Sequence, residues 1–127
     1  MIEFVLDYME QKGYWADAAA EQERLEQGIR LWLSENGISE TATGEYYKKY
    51  VKDYLEMIAP QDLKSYFCCY PVISEIHQIA IEQKTDGSIT EERRRRLYGL
   101  MKELHQSGLG EKYVPIQEVK AALGGFS

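Results

Sequence analysis

WADAAAEQERLEQGIRLWL, residues 15–33, is the longest segment of this sequence with one consistent helical face, and its reading decides the fold. Trp15, Ala18, Gln22, Leu25, Ile29 and Trp32 follow the alternating three-then-four spacing that stacks side chains along one side of an α-helix. The predicted helix ends at Asn36 and Gly37, a pair suited to the left-handed cap that closes helices. Its last turn, Leu31 to Leu33, is apolar over more than one face. Leu31 points away from the main stripe, so another helix or a partner has to cover it.

The segments on either side read as further helices. Ile2 to about Gln11 places Phe4, Val5, Tyr8 and Met9 at helical spacing, with Gly13 as a stop, and should fold back on the long helix. After a linker, Ile38 to Thr43, a third helix starts near Gly44 or Glu45 and ends at Pro60. Tyr47, Tyr50, Val51, Tyr54, Leu55 and Ile58 gather on one side of it, and Lys48, Lys49, Lys52 and Glu56 take the other. Pro60 opens a short fourth helix, PQDLKSYFCCY, because a missing N–H goes unnoticed in a first turn. Pro71 repeats the device for a fifth helix, to about Gln83. That helix gathers Val72, Ile73, Ile76, Ile79 and Ala80 and leaves Ile81 opposite, as if it lay between other elements. Thr85-Asp86-Gly87 makes a turn, and Ser88 to Glu91 has the spacing of a capping box. A sixth helix, Thr90 to about Gln106, carries the stripe Leu97, Leu100, Met101 and Leu104. Pro115 opens the last, PIQEVKAAL, closed by Gly124 and Gly125. No segment alternates convincingly as a strand. The expectation is an all-α chain of six or seven short helices, one domain over residues 1–127, with helices two, three, five and six forming a compact bundle.

Composition narrows the functions. The N-terminus lacks the basic start and apolar run of a secretory signal and no stretch is long and apolar enough to span a bilayer, so a cytoplasmic, soluble protein without a membrane partner is expected. The two cysteines, Cys68 and Cys69, are neighbours, which rules out a disulfide framework and suits buried small hydrophobes. The net charge of −6 sits wholly in residues 1–40, where nine acids face three bases; the remainder holds twelve of each sign. Those first forty residues, Glu21 and Glu23 among them, suit a basic protein surface and not a phosphate backbone.

Three constellations stand out. Ten tyrosines are present, and Tyr46, Tyr47, Tyr50 and Tyr54 fall within the third helix. Tyrosine combines a large contact area with low rotamer entropy, which suits interfaces, yet an amphipathic helix needs an apolar face in any case. Tyr46 and Met57 lie at the margin of that face and are the better partner contacts. The second constellation is Arg93 to Arg96. Consecutive arginines fan around a helix, with Arg93 over the core stripe, Arg94 on its edge, Arg95 outward and Arg96 on the far edge, so they form no single phosphate-tracking row. Cations in a first turn also oppose the helix dipole, which hints at a use for them. A nucleic-acid surface of Arg94, Arg95, Arg96 and Lys102 is the alternative reading, weakened by a pI near 5.0. The third, EQKTDGSITEER, half-resembles an EF-hand calcium loop. Lys84 and Arg93 stand where that loop needs ligands, so a turn and cap is the better account.

Nothing points to catalysis, a cofactor or a metal: His77 and His105 lie on separate helices without metal spacing, and no glycine loop follows a strand. The functional expectation is a non-enzymatic module binding a larger protein: an adaptor, or an inhibitor or immunity-type protein of bacterial or viral origin. Its contacts would come from Tyr46, Tyr50, Met57, Leu31, Glu21 and Glu23. Leu31, Trp32 and Ile81 could also serve a homo-oligomer.

Overall fold

The computed structural model describes residues 1–87 and 89–124. The chain is all-α: α1 (Ile2–Gln11), α2 (Ala19–Glu35), α3 (Glu45–Glu56), a 3₁₀ turn (Pro60–Asp62), α4 (Leu63–Cys68), α5 (Tyr70–Asp86), α6 (Glu91–Gln106) and α7 (Ile116–Leu123), with no strand among the described residues. The chain divides into two compact units, residues 1–70 and 71–127.

In the first unit α1 lies against α2 and α3, and the most extensive helix pair is α2 with the six-residue α4. Leu25, Ile29, Trp32 and Leu33 of α2 are fully or almost fully buried, together with Val5, Met9, Val51, Leu55, Leu63 and Phe67. Trp32 belongs to an aromatic cluster, its ring 4.6 Å from that of Tyr54 and 6.1 Å, edge-on, from that of Phe67. Burying Trp32 and Phe67 supplies roughly 2–3 kcal/mol each in apolar transfer, which makes this contact the largest single block of the first core.

The α2–α4 approach depends on Gly28. A β-carbon there would lie 1.7 Å from the carbonyl oxygen of Phe67, so the backbones touch where a side chain would otherwise stand. A glycine inside a helix costs about 1 kcal/mol relative to alanine, and the close approach is what it makes possible.

Several boundaries differ from expectation: the third helix, expected to reach Pro60, ends at Glu56, and the expected fourth helix is a 3₁₀ turn followed by only six α-helical residues. The second helix starts at Ala19 and not at Trp15, because Ala18 is extended, at φ −142° and ψ 156°, and the Glu21 carboxylate accepts a hydrogen bond from the Asp17 N–H at 3.1 Å. Trp15 therefore leaves the stripe and is 58% exposed. The fifth helix runs three residues beyond Gln83, through Asp86, where a turn was expected to begin. The C-terminus of α2 matches its cap signal. The N–H of Gly37, at φ +69°, reaches the Ser34 carbonyl at 3.1 Å and the N–H of Ile38 that of Leu33 at 2.9 Å, while the Ile38 side chain is buried, as in a Schellman motif.

In the second unit α5 contributes Ile73, Ile76, Ile79 and Ala80 to the core, α6 its expected stripe of Leu97, Leu100, Met101 and Leu104, and α7 Val119 and Ala122. Ile81 is 61% exposed, so the position expected to lie between other elements faces solvent. Thr90 caps α6, its hydroxyl accepting from the Arg93 N–H at 3.2 Å. The expected capping box began at Ser88, and the last helix was expected to close with Gly125; both positions lie outside the described residues.

Candidate functional site

Helix α3 buries only its second half. Val51, Leu55 and, just beyond it, Ile58 are buried and Tyr54 is half-buried, whereas Tyr47 and Tyr50, expected on the same inner face, are 41% and 43% exposed. Periodicity fixes the direction in which the inner face points, but burial also needs a neighbour alongside, and here it begins at Val51. Around the helix, Tyr46, Tyr50 and Met57 fall within about 40° of one another on the side away from Val51 and Leu55. Tyr46 is 77% and Met57 80% exposed. The result is a line about 16 Å long, at 1.5 Å per residue over eleven residues, of three large side chains outside the core, with the exposed Asp53 on the same side between Tyr50 and Met57.

The strip is partly ordered from beneath. The Tyr50 hydroxyl donates to the Asn36 side-chain oxygen at 3.1 Å, and Asn36 in turn donates to the Trp32 carbonyl at 2.8 Å, tying the ring to the end of α2. The Tyr46 and Tyr47 rings meet edge to face at 5.5 Å. A ring held this way loses less entropy when a partner closes over it.

The other tyrosines of this region are structural. Tyr66 and Tyr70 are buried; the hydroxyls of Tyr54 and Tyr66 are hydrogen-bonded to each other, and that of Tyr70 donates to the Glu35 carboxylate. Burial, reinforced by the bond to Glu35 and its charge, pushes the Tyr70 phenol far above its ordinary range. It is a hydrogen-bond donor at every physiological pH.

The remaining expected contacts are scattered. Leu31 is half-buried. Trp32, grouped with it as a self-association contact, is fully buried and so takes no part in any surface. Glu21 is engaged within the unit: it accepts the Asp17 N–H and lies 3.1 Å from the Lys64 ammonium, and these contacts hold its carboxyl below the usual value. Glu23 is exposed, near Gln27 at 3.5 Å.

All four arginines are matched to carboxylates of their own unit. Arg93 meets Glu82 at 2.9 Å, Arg94 and Arg95 share Glu91 at 3.4 and 3.5 Å, and Arg96 binds Glu75 through two nitrogens at 3.0 and 2.8 Å. Arg93, expected over the core stripe, is instead half exposed and turned to α5. These pairs neutralise much of the field a phosphate backbone would need, and those of Arg93 and Arg96 tie the start of α6 to α5.

Groups with reactive potential have other duties. The Cys68 thiol is pushed up by burial and points to the Glu21 carbonyl at 3.9 Å, which makes it a poor nucleophile near neutral pH. The His77 imidazole is 3.2 Å from the Tyr113 carbonyl oxygen. No group of three or more histidine, cysteine, aspartate or glutamate side chains converges at metal-binding distance among the described residues, and no described helix is long and apolar enough to cross a membrane. Comparison of the chain with protein-family models, with curated proteins and with solved structures finds no match, so the reading of its surface rests on its own residues.

Proposed function

We propose that this chain is a non-enzymatic protein-binding module whose principal contact is the outer strip of α3, Tyr46, Tyr50 and Met57. One observation carries the reading: on a helix already anchored by Val51 and Leu55, three large side chains of the types enriched at interfaces face solvent together. Their exposed area is roughly 400 Å² on ordinary side-chain areas, the size of the largest patch on a typical monomer and about half of one side of a standard interface. The acidic excess of residues 1–40, with Glu23 exposed, favours a partner whose rim is basic. An adaptor or a stoichiometric inhibitor fits this description.

The test compares variants and not just captures. Wild-type chain immobilised on beads should retain a dominant partner from source lysate, and Tyr46→Ala combined with Met57→Ala should lower its retention about tenfold or more, as loss of two central contacts does. The circular dichroism spectrum and melting curve should not change, since neither side chain packs inside. Undiminished retention by the double variant would remove α3 from the interface.

A further inference from the structure

A groove runs between α6 and α7 in the second unit, formed by two adjoining hollows of about 320 and 420 Å³ that share Tyr98 and Leu123. Its floor is apolar: Met101 and Val119 are buried, Ile116 and Leu123 half-buried, and Tyr98, at 66% exposure, stands on the edge. The rim has a different character. Arg94, Arg95, Lys102 and Lys120 line it against Glu91 and Glu111, four fixed cations to two carboxylates, a local balance of +2 in a chain of −6. Lys102 and Lys120 pair with no carboxylate among the described residues, so the middle of the groove keeps its positive charge.

From this pairing of an apolar floor with a cationic rim, we infer that the α6–α7 groove is a second docking site, for an acidic amphipathic helix of a partner protein. The lengths agree. From Arg94 to His105 the groove follows α6 for eleven residues, about 16 Å, or three turns of a bound helix, enough to seat apolar anchors at i, i+3 or i+4, and i+7. Glutamates flanking those anchors would meet Lys102 and Lys120, while a basic helix would meet like charge at both walls. A nucleic acid is the poorer occupant: Glu91 already holds Arg94 and Arg95, Glu111 would face its phosphates, and the apolar floor gives them nothing. This site is independent of the α3 strip, and the two readings can fail separately.

The probe is a fluorescein-labelled 16-residue peptide with leucines at helical spacing and glutamates at the other positions; its counterpart carries lysines in place of the glutamates. Fluorescence anisotropy with the full chain at low salt should show saturable binding of the acidic peptide, about tenfold or more tighter than that of the basic one. Tyr98→Ala should weaken it several-fold with unchanged circular dichroism, and Lys102→Glu with Lys120→Glu should reverse the preference. Tyr46→Ala should leave it untouched. Equal binding of the two peptides, full binding by the charge-reversed variant, or loss through Tyr46→Ala would overturn the assignment. So would displacement of the peptide by a single-stranded oligonucleotide, or self-association abolished by the charge reversal, which would give the groove to nucleic acid or to a second copy.

Discussion

Replacing Gly28 with alanine adds one methyl group, and the structure predicts that this methyl will do more damage than the loss of most surface side chains. The new β-carbon would sit 1.7 Å from the Phe67 carbonyl oxygen, where separations under 3.0 Å essentially never occur, so α2 and α4 must part locally by more than about an ångström. The atom in the way is backbone and cannot rotate aside. Parting the helices loosens the contact of Trp32 with Phe67, and a gap of 0.5–1 Å already forfeits about a quarter to a half of each dispersion well. Against a strain of roughly 3–4 kcal/mol stands about 1 kcal/mol of improved helix propensity, for a net loss of about 2–3 kcal/mol. In a chain of this size that lowers the melting midpoint by about 10 °C. Gly99 is the internal control. It too lies inside a helix, α6, but a β-carbon there meets nothing within 4 Å, so Gly99→Ala should stabilise by about 0.5–1 kcal/mol. Thermal and urea unfolding of both variants would check the pair. A Gly28→Ala protein that melts at or above the wild-type temperature would refute the close approach of α2 and α4.

Two further perturbations follow from titrating groups. The raised Tyr70 phenol contributes stability that is complete below the ordinary value of 10.0 and is lost as pH rises above it, because the unfolded chain ionises first; Tyr70→Phe should lower stability by about 1 kcal/mol at neutral pH and flatten the alkaline decline in urea titrations. The lowered Glu21 carboxyl works in the opposite sense: its contribution is present above the ordinary 4.5 and disappears as pH falls through the lowered value, so Glu21→Gln should show a shallower acid loss of stability, read by urea midpoints across that range.

Much of this architecture is legible in the residues, for identifiable reasons. Helices α3 and α6 begin where Gly44 and Thr90 predict them, and Leu97, Leu100, Met101 and Leu104 are buried as their spacing requires, because a strong stripe admits only one inner face. The start of α2 was not legible from periodicity. WADAAA satisfies a helical pattern, and only the carboxylate of Glu21 reaching back to Asp17 marks the true start; an acid four residues after an aspartate was the available signal. Gly28 carried a signal as well, since a glycine within a good helix former asks for a close neighbour, but which neighbour depends on the short α4. The candidate strip was half visible. Tyr46 and Met57 stand off the apolar face in any helical projection, while the exposure of Tyr50 depends on how far burial extends along α3, which no local spacing encodes. The pairing of Arg93 with Glu82 and of Arg96 with Glu75 is likewise a product of α5 lying beside α6, whereas Glu91 lies three and four residues before Arg94 and Arg95 in the same helix.

Trp15 and Trp32 are the only two indoles, and both belong to residues 1–70, one open to water and the other sealed between Tyr54 and Phe67. Indole emission, excited where tyrosine does not absorb, is therefore an optical label for the first unit alone, with a quencher-accessible lamp and a shielded one, while residues 71–127 hold no tryptophan. Ellipticity, by contrast, sums helices from both. Recorded side by side during denaturation, the two signals turn an accident of tryptophan placement into a direct gauge of cooperativity between the halves of the chain.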